Sequence, residues 1–195
     1  MIHVIGDSHC NVFSKLPHFK SFWLASDEYY KISKTAHQLQ KEIPKLDEYI
    51  NNLTLDDEII FAFGEIDCRL HFYEKHIQDR VPLIDLIQST IDRYMAVILS
   101  YIDKVKRIHV LHVVPTGVED NIWDRPIFAE PVVRKLITEM FNTELEKSCI
   151  VNDLQFLDVY YPMLNRFGWR DENYVRDDVH LNVRHPTLIY TKYFK

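Results

Sequence analysis

Short apolar runs, each closed by a glycine, a proline or a polar cluster, alternate along the chain with longer stretches whose apolar residues recur every three or four positions. The runs read as strands buried on both faces, and the stretches as amphipathic helices. Residues 2–5 (IHVI) end at Gly6, residues 19–24 form a second run, and residues 58–63 (EIIFAF) end at Gly64. Residues 107–114, closed by Pro115, and residues 155–159 complete a set of five. Between them Thr35 is placed to cap a helix that runs towards Tyr49 and is interrupted by Pro44. Pro82 suits the first turn of a long helix with Leu83, Leu86, Ile87, Ile91, Tyr94, Met95, Ile98 and Leu99 on one stripe. Further helices are expected from about 131 to 147 and over 186–195, with loops around Gly117 and through 161–185. Strands alternating with helices predict a three-layer α/β/α sandwich with about five parallel strands, residues 2–5 near its centre. Without internal repeats or a linker, residues 1–195 read as a single domain.

Composition narrows the partners more than the fold. At 195 residues and 47% hydrophobic, the chain has the makings of a packed core, which excludes wholesale disorder. A net charge of -6 argues against a nucleic-acid partner, and no apolar stretch approaches the ~20 residues a membrane helix needs. The opening MIHVIGDSH lacks a basic region and a long apolar core, so a cytoplasmic location is expected. Cys10, Cys68 and Cys149 form no CxxC pair and read as free thiols of a reducing compartment.

Chemistry concentrates at three strand ends, where sheets of this kind collect their functional groups. Gly6-Asp7-Ser8-His9 follows the first strand, Gly64-Glu65-Ile66-Asp67-Cys68-Arg69 the third, and Asp177-Asp178-Val179-His180 lies near the end of the chain. A serine hydroxyl needs a base to become a nucleophile, and a histidine base needs a carboxylate to fix its tautomer. Ser8, His180 and Asp177 can supply these parts, with Asp178 as the competing orienter. Taken singly, Asp7 and Ser8 read equally well as helix caps and the acidic cluster as a solvated turn.

Taken together, the three clusters resemble the first, third and fifth sequence blocks of the SGNH or GDSL hydrolases, in the right order. The resemblance implies a flavodoxin-like fold and cleavage or transfer of an acyl group from an ester through a covalent acyl-enzyme. Ser8 then corresponds to the nucleophile, His180 to the base and Asp177 to its partner, with no cofactor. Two positions depart from the family pattern. Ile66 stands where an asparagine normally donates to the oxyanion, and the second-block stretch Ile32-Ser33-Lys34-Thr35-Ala36 has no glycine. A backbone N–H of Ser33 or Lys34, the Ser8 amide or Arg69 are the candidate replacements, with Gly64 and Asp67 beside them. Arg69 reads equally as an ion-pair partner of Glu65 or Asp67, and Asp67 as an acceptor holding the loop.

Two other readings compete. Asp7, His9, Asp67, Asp177 and His180 could form a carboxylate–imidazole metal site of a phosphoesterase, although that family's Asn-His pair and His-x-His are missing. His109 and His112, three apart on an expected strand, should point to opposite faces, and His71 and His76 fall in an expected loop. The remaining possibility is a ligand-binding module on a hydrolase scaffold. The expected partner is a small-molecule or carbohydrate ester, with Trp123, Phe128, Trp169 and Tyr174 as aromatic candidates for its pocket or for covering the core edge.

Overall fold

The computed structural model describes residues 1–26, 32–118, 129–177 and 179–195. Five parallel strands, β1 (Ile2–Gly6), β2 (Phe19–Trp23), β3 (Glu58–Ala62), β4 (Arg107–Leu111) and β5 (Gln155–Leu157), form one sheet in the order β2-β1-β3-β4-β5. The order reverses at β1 and β3, the place where open α/β sheets part their crossovers and leave a crevice. Gly6 is level with Trp23 on one side and Ala62 on the other, so three strand ends open on that crevice together.

Alternation along the strands builds a core on each face. Ile5, Ile59, Phe61, Ile108 and Val110 point to one side, where α1 (Ile43–Ile50), α2 (Phe72–Asp79), α3 (Leu83–Leu99) and α4 (Pro131–Val151) cover them. Val4, Ile60, Ala62, Leu111 and Leu157 point to the other, against the 3₁₀ segment Ser8–Lys15 and α5 (Arg184–Tyr193). Burial on both faces explains why the strands read as continuous apolar runs. Two glycines are demanded by space. A Cβ on Gly6 would sit 2.5 Å from the Ala62 carbonyl oxygen, and Gly64, at φ 116°, would drive one to 2.8 Å from Phe141 and Val113. Gly64 is therefore a turn that lets α4 pack against the end of β3.

Several local expectations give way. The helix after Thr35 is a 3₁₀ segment (Ala36–Glu42) feeding α1, because Pro44 fits only a helix's first turn. Thr35 occupies the cap position without a side-chain capping bond. Pro82 stands just ahead of α3 rather than in its first turn. His71 and His76 lie on a π-helical turn (Asp67–His71) and on α2, not in a loop; the polar surface of this element hid its helical period. β4 and β5 stop at Leu111 and Leu157, short of the apolar runs, since burial continues where strand pairing has ended. His109 and His112 do not part to opposite faces. His109 packs on Phe194 and His112 on His185, both at the α5 layer, because the strand has ended before His112. No helix among the described residues is long and apolar enough to cross a membrane, and the three cysteines are buried thiols.

Candidate active site

Two histidine–aspartate pairs meet above the ends of β1 and β3. The first grows from β1 itself. Asp7 caps the following 3₁₀ segment by accepting from the His9 amide at 2.9 Å, and its Oδ1 is 3.4 Å from His9 Nδ1. His9 Nε2 lies 3.0 Å from the Val179 carbonyl oxygen. Both ring nitrogens thus face acceptors, which only an imidazolium satisfies. Burial alone would lower the His9 pKa, but the bond to Asp7 and the charges of Asp7 and Glu65 outweigh it and raise it to about 9. His9 is a buried cation that ties the first motif to the last.

The second pair is exposed. Asp177 Oδ1 accepts from the amides of Val179 (3.1 Å) and His180 (2.7 Å) and is 3.1 Å from His180 Nδ1. Its Oδ2 accepts from Arg176 at 3.2 Å. Partial burial pushes the Asp177 carboxyl up, yet these amides, the His180 charge and the hydrogen bond from Arg176 hold it well below the usual carboxylate range. A carboxylate on Nδ1 leaves Nε2 as the free, basic nitrogen. The rings of His9 and His180 lie 5.8 Å apart. Asp178 lies outside the described residues.

Ser8 and His180, 172 positions apart in sequence, line one open cleft of about 830 Å³ together with Trp23, Lys15, Arg176 and Asn182. Among the described residues no hydrogen bond joins the Ser8 hydroxyl to His180. The Ser8 amide donates to the Ser33 hydroxyl at 3.1 Å, and the Trp23 indole donates to the same oxygen at 2.8 Å. Ser33 thus meets Ser8 through its side chain, while the Lys34 N–H, the other backbone candidate for the oxyanion, donates to the Leu24 carbonyl oxygen at 2.9 Å.

The third cluster serves as the frame. Arg69 Nε and Nη2 both go to the Glu65 carboxylate, the second at 3.1 Å. Burial opposes ionisation of Glu65, but Arg69 and then His9 bring its pKa down to about 2. Arg69 is thus an ion-pair anchor on the candidate oxyanion list rather than a group turned to the cleft. Asp67 is buried and accepts from the Ala36 amide at 2.8 Å, holding the second-block loop; burial pushes its pKa up to about 7. The five residues of the metal reading are dispersed among these roles, and among the described residues no group of three or more acidic, histidine or cysteine side chains is arranged to hold a metal ion.

The aromatic candidates fare unevenly. Trp123 and Phe128 lie outside the described residues. Trp169 packs under Lys135, and Tyr174 packs on the α5-side core, so neither lines the cleft. Trp23 does, and its place at the end of β2 was its only sequence signal.

No family model matches the chain, and no curated protein matches it in sequence. Solved structures do. A GDSL-like lipase from Bacteroides thetaiotaomicron superposes with a TM-score of 0.64 at 14% identity, over 96% of this chain and 82% of that one. The chain has the SGNH/GDSL hydrolase fold. An acetyl xylan esterase, AlAXEase, matches with a TM-score of 0.57 at 12% identity, over 98% of this chain and 97% of that one. The OSK domain of Drosophila Oskar matches with a TM-score of 0.62 at 12% identity, over 98% of this chain and 88% of that one. At such identities these likenesses speak for the fold alone.

Proposed function

We propose that this protein is a serine ester hydrolase acting through Ser8, His180 and Asp177 on a small-molecule or carbohydrate ester. The observation that carries the reading is the cleft that Ser8 and His180 share, with His180 Nδ1 held by Asp177. Its neighbours in fold include a lipase and an acetyl xylan esterase, which agrees with ester chemistry. His180 Nε2 takes the Ser8 hydroxyl proton as Oγ bonds to the acyl carbon. The tetrahedral oxyanion collapses, the alcohol leaves with that proton, and water repeats the sequence on the acyl-enzyme.

The oxyanion needs a donor that Ile66 lacks, and the Ser33 hydroxyl is our assignment. A hydroxyl has two acceptor positions and one proton. The Ser8 and Trp23 N–H groups fill the two acceptor positions, so the proton is left to donate to an oxyanion beside Ser8. Accepting two bonds also strengthens a hydroxyl as a donor. Removing one such donor costs roughly 10²–10³ in turnover, so Ser33→Ala should lose about that much.

A specific observation favours a second reading, a binding module. The Ser33 oxygen occupies the direction in which the Ser8 amide would meet an oxyanion, so the hole is plugged if Ser33 cannot donate. Hydrolysis of p-nitrophenyl acetate separates the two. The hydrolase reading predicts turnover that Ser8→Ala abolishes and Ser33→Ala reduces. A gain on Ser33→Ala would identify a plug, and the absence of turnover on a panel of acyl chain lengths would favour the binding module.

A further inference from the structure

The second-block loop has another cavity beyond Thr35. It measures about 100 Å³, room for several waters, and lies between the 3₁₀ segment Ala36–Glu42, α2 and α3. His37, His71, Lys75 and Arg93 line it, with Thr90 in the wall and Asp67 as its only acidic lining residue among those described. Lys75 Nζ is 3.4 Å from His37 Nε2, and Arg93 Nη2 is 2.9 Å from His37 Nδ1. A neutral imidazole offers one acceptor nitrogen and one N–H. It can receive one of these cations, and the other faces its N–H, donor against donor.

The Thr90 hydroxyl, 3.5 Å from His37 Nδ1, offers a neutral oxygen there but neutralises neither cation. The other bonds of Arg93 go to Ser89, its carbonyl oxygen at 3.0 Å and its hydroxyl at 3.2 Å. Among the described residues neither Lys75 nor Arg93 is ion-paired with a carboxylate. Asp67 gives an oxygen to the Ala36 amide and is pushed towards its neutral form by burial. Burial first, and then the positive charges of Lys75, Arg93, His71 and Lys41, depress the His37 pKa to about 4. Lys75 and Arg93 thus converge on the cavity with no carboxylate paired to either among the described residues, and its acceptors are the Asp67 carboxyl and neutral side-chain oxygens such as that of Thr90.

We propose that this cavity binds a tetrahedral oxyanion of the phosphate class, either free or carried on a substrate. Lys75, Arg93 and the His37 N–H come from three different elements, and an oxyanion with several oxygens can accept from all three at once, which a two-oxygen carboxylate does less well. Binding at this site does not depend on Ser8 chemistry, so its test stands apart from that of the hydrolase.

The test is a titration of the full chain with inorganic phosphate against chloride at equal ionic strength, read by the His37 ring resonances and by Tm. A saturable shift of the His37 signals with a rise in Tm is expected, weakened about tenfold by Arg93→Gln or Lys75→Gln. A flat titration, or wild-type affinity retained in both variants, would overturn the site. A second arm distinguishes the sources, using an acetyl ester with and without a phosphate on its alcohol. If the substrate carries the anion, Arg93→Gln raises KM for the phosphorylated ester alone; if KM changes equally for both or for neither, the occupant is free phosphate.

Discussion

The site contains the same two residue types twice, in opposite surroundings. Asp177 and His180 are 46% and 38% exposed, whereas Asp7 and His9 are 3% and 9% exposed. In the exposed pair the carboxylate takes one ring nitrogen, and the histidine lines the cleft that also holds Ser8. In the buried pair both ring nitrogens are committed, one to Asp7 and one to the Val179 carbonyl. An aspartate beside a histidine is therefore not a catalytic signature on its own. What separates a proton carrier from a strut is whether the second nitrogen has somewhere to send its proton.

Breaking each pair should give opposite phenotypes. The largest effect is expected at the exposed pair's partner in chemistry: Ser8→Ala and His180→Ala should each lower kcat/KM on the order of 10⁵-fold while leaving Tm nearly unchanged. Asp177→Asn should cost about 100-fold less than losing Ser8, because orientation is lost but the base remains. At the buried pair the balance reverses. His9→Ala leaves the Asp7 carboxylate buried without its cation and should cost about 3–5 kcal/mol by denaturant unfolding, with the activity of the folded fraction far less affected.

The pH dependence of stability sharpens the same contrast. The raised folded pKa of His9 means its contribution is whole below the unfolded value near 6.5 and is lost as pH climbs through about 9. His112 and His185 act in the other direction. Burial lowers both, His112 to about 4 and His185 well below its ordinary value, so their penalty is absent above 6.5 and grows as pH falls below it. Unfolding measured from pH 5 to 10 should show an alkaline loss that disappears in His9→Gln and an acid loss that remains. The smallest expected effect is at Ile66: if the Ser33 hydroxyl serves as the oxyanion donor, Ile66→Asn should raise turnover only modestly.

Much of this was legible in the sequence, for identifiable reasons. Strands buried on both faces carry a continuous apolar signal, so all five were located, and the order of the Ser8, Gly64 and His180 clusters carried the fold resemblance. The unread parts depend on partners distant in sequence. His9 looked like a metal-site candidate because its second acceptor, Val179 O, is 170 residues away. Ser33 entered only as one of two candidate backbone donors because nothing local reveals that its hydroxyl reaches the Ser8 amide. Arg69 gave both of its readings by spacing, and the four-residue step to Glu65 on one helical turn decided it. The α2 element escaped because its exposed face carries Glu74, His76, Gln78 and Asp79 between few apolar residues.

The central claim is that the exposed histidine–aspartate pair activates Ser8. The most direct measurement is labelling with a fluorophosphonate followed by mass spectrometry, in the wild type, His9→Gln and His180→Ala, with EDTA present. The account predicts a single adduct on Ser8 in the wild type, retained in His9→Gln and lost in His180→Ala. An unlabelled Ser8 in a protein that hydrolyses esters, or labelling unchanged by His180→Ala, would contradict it.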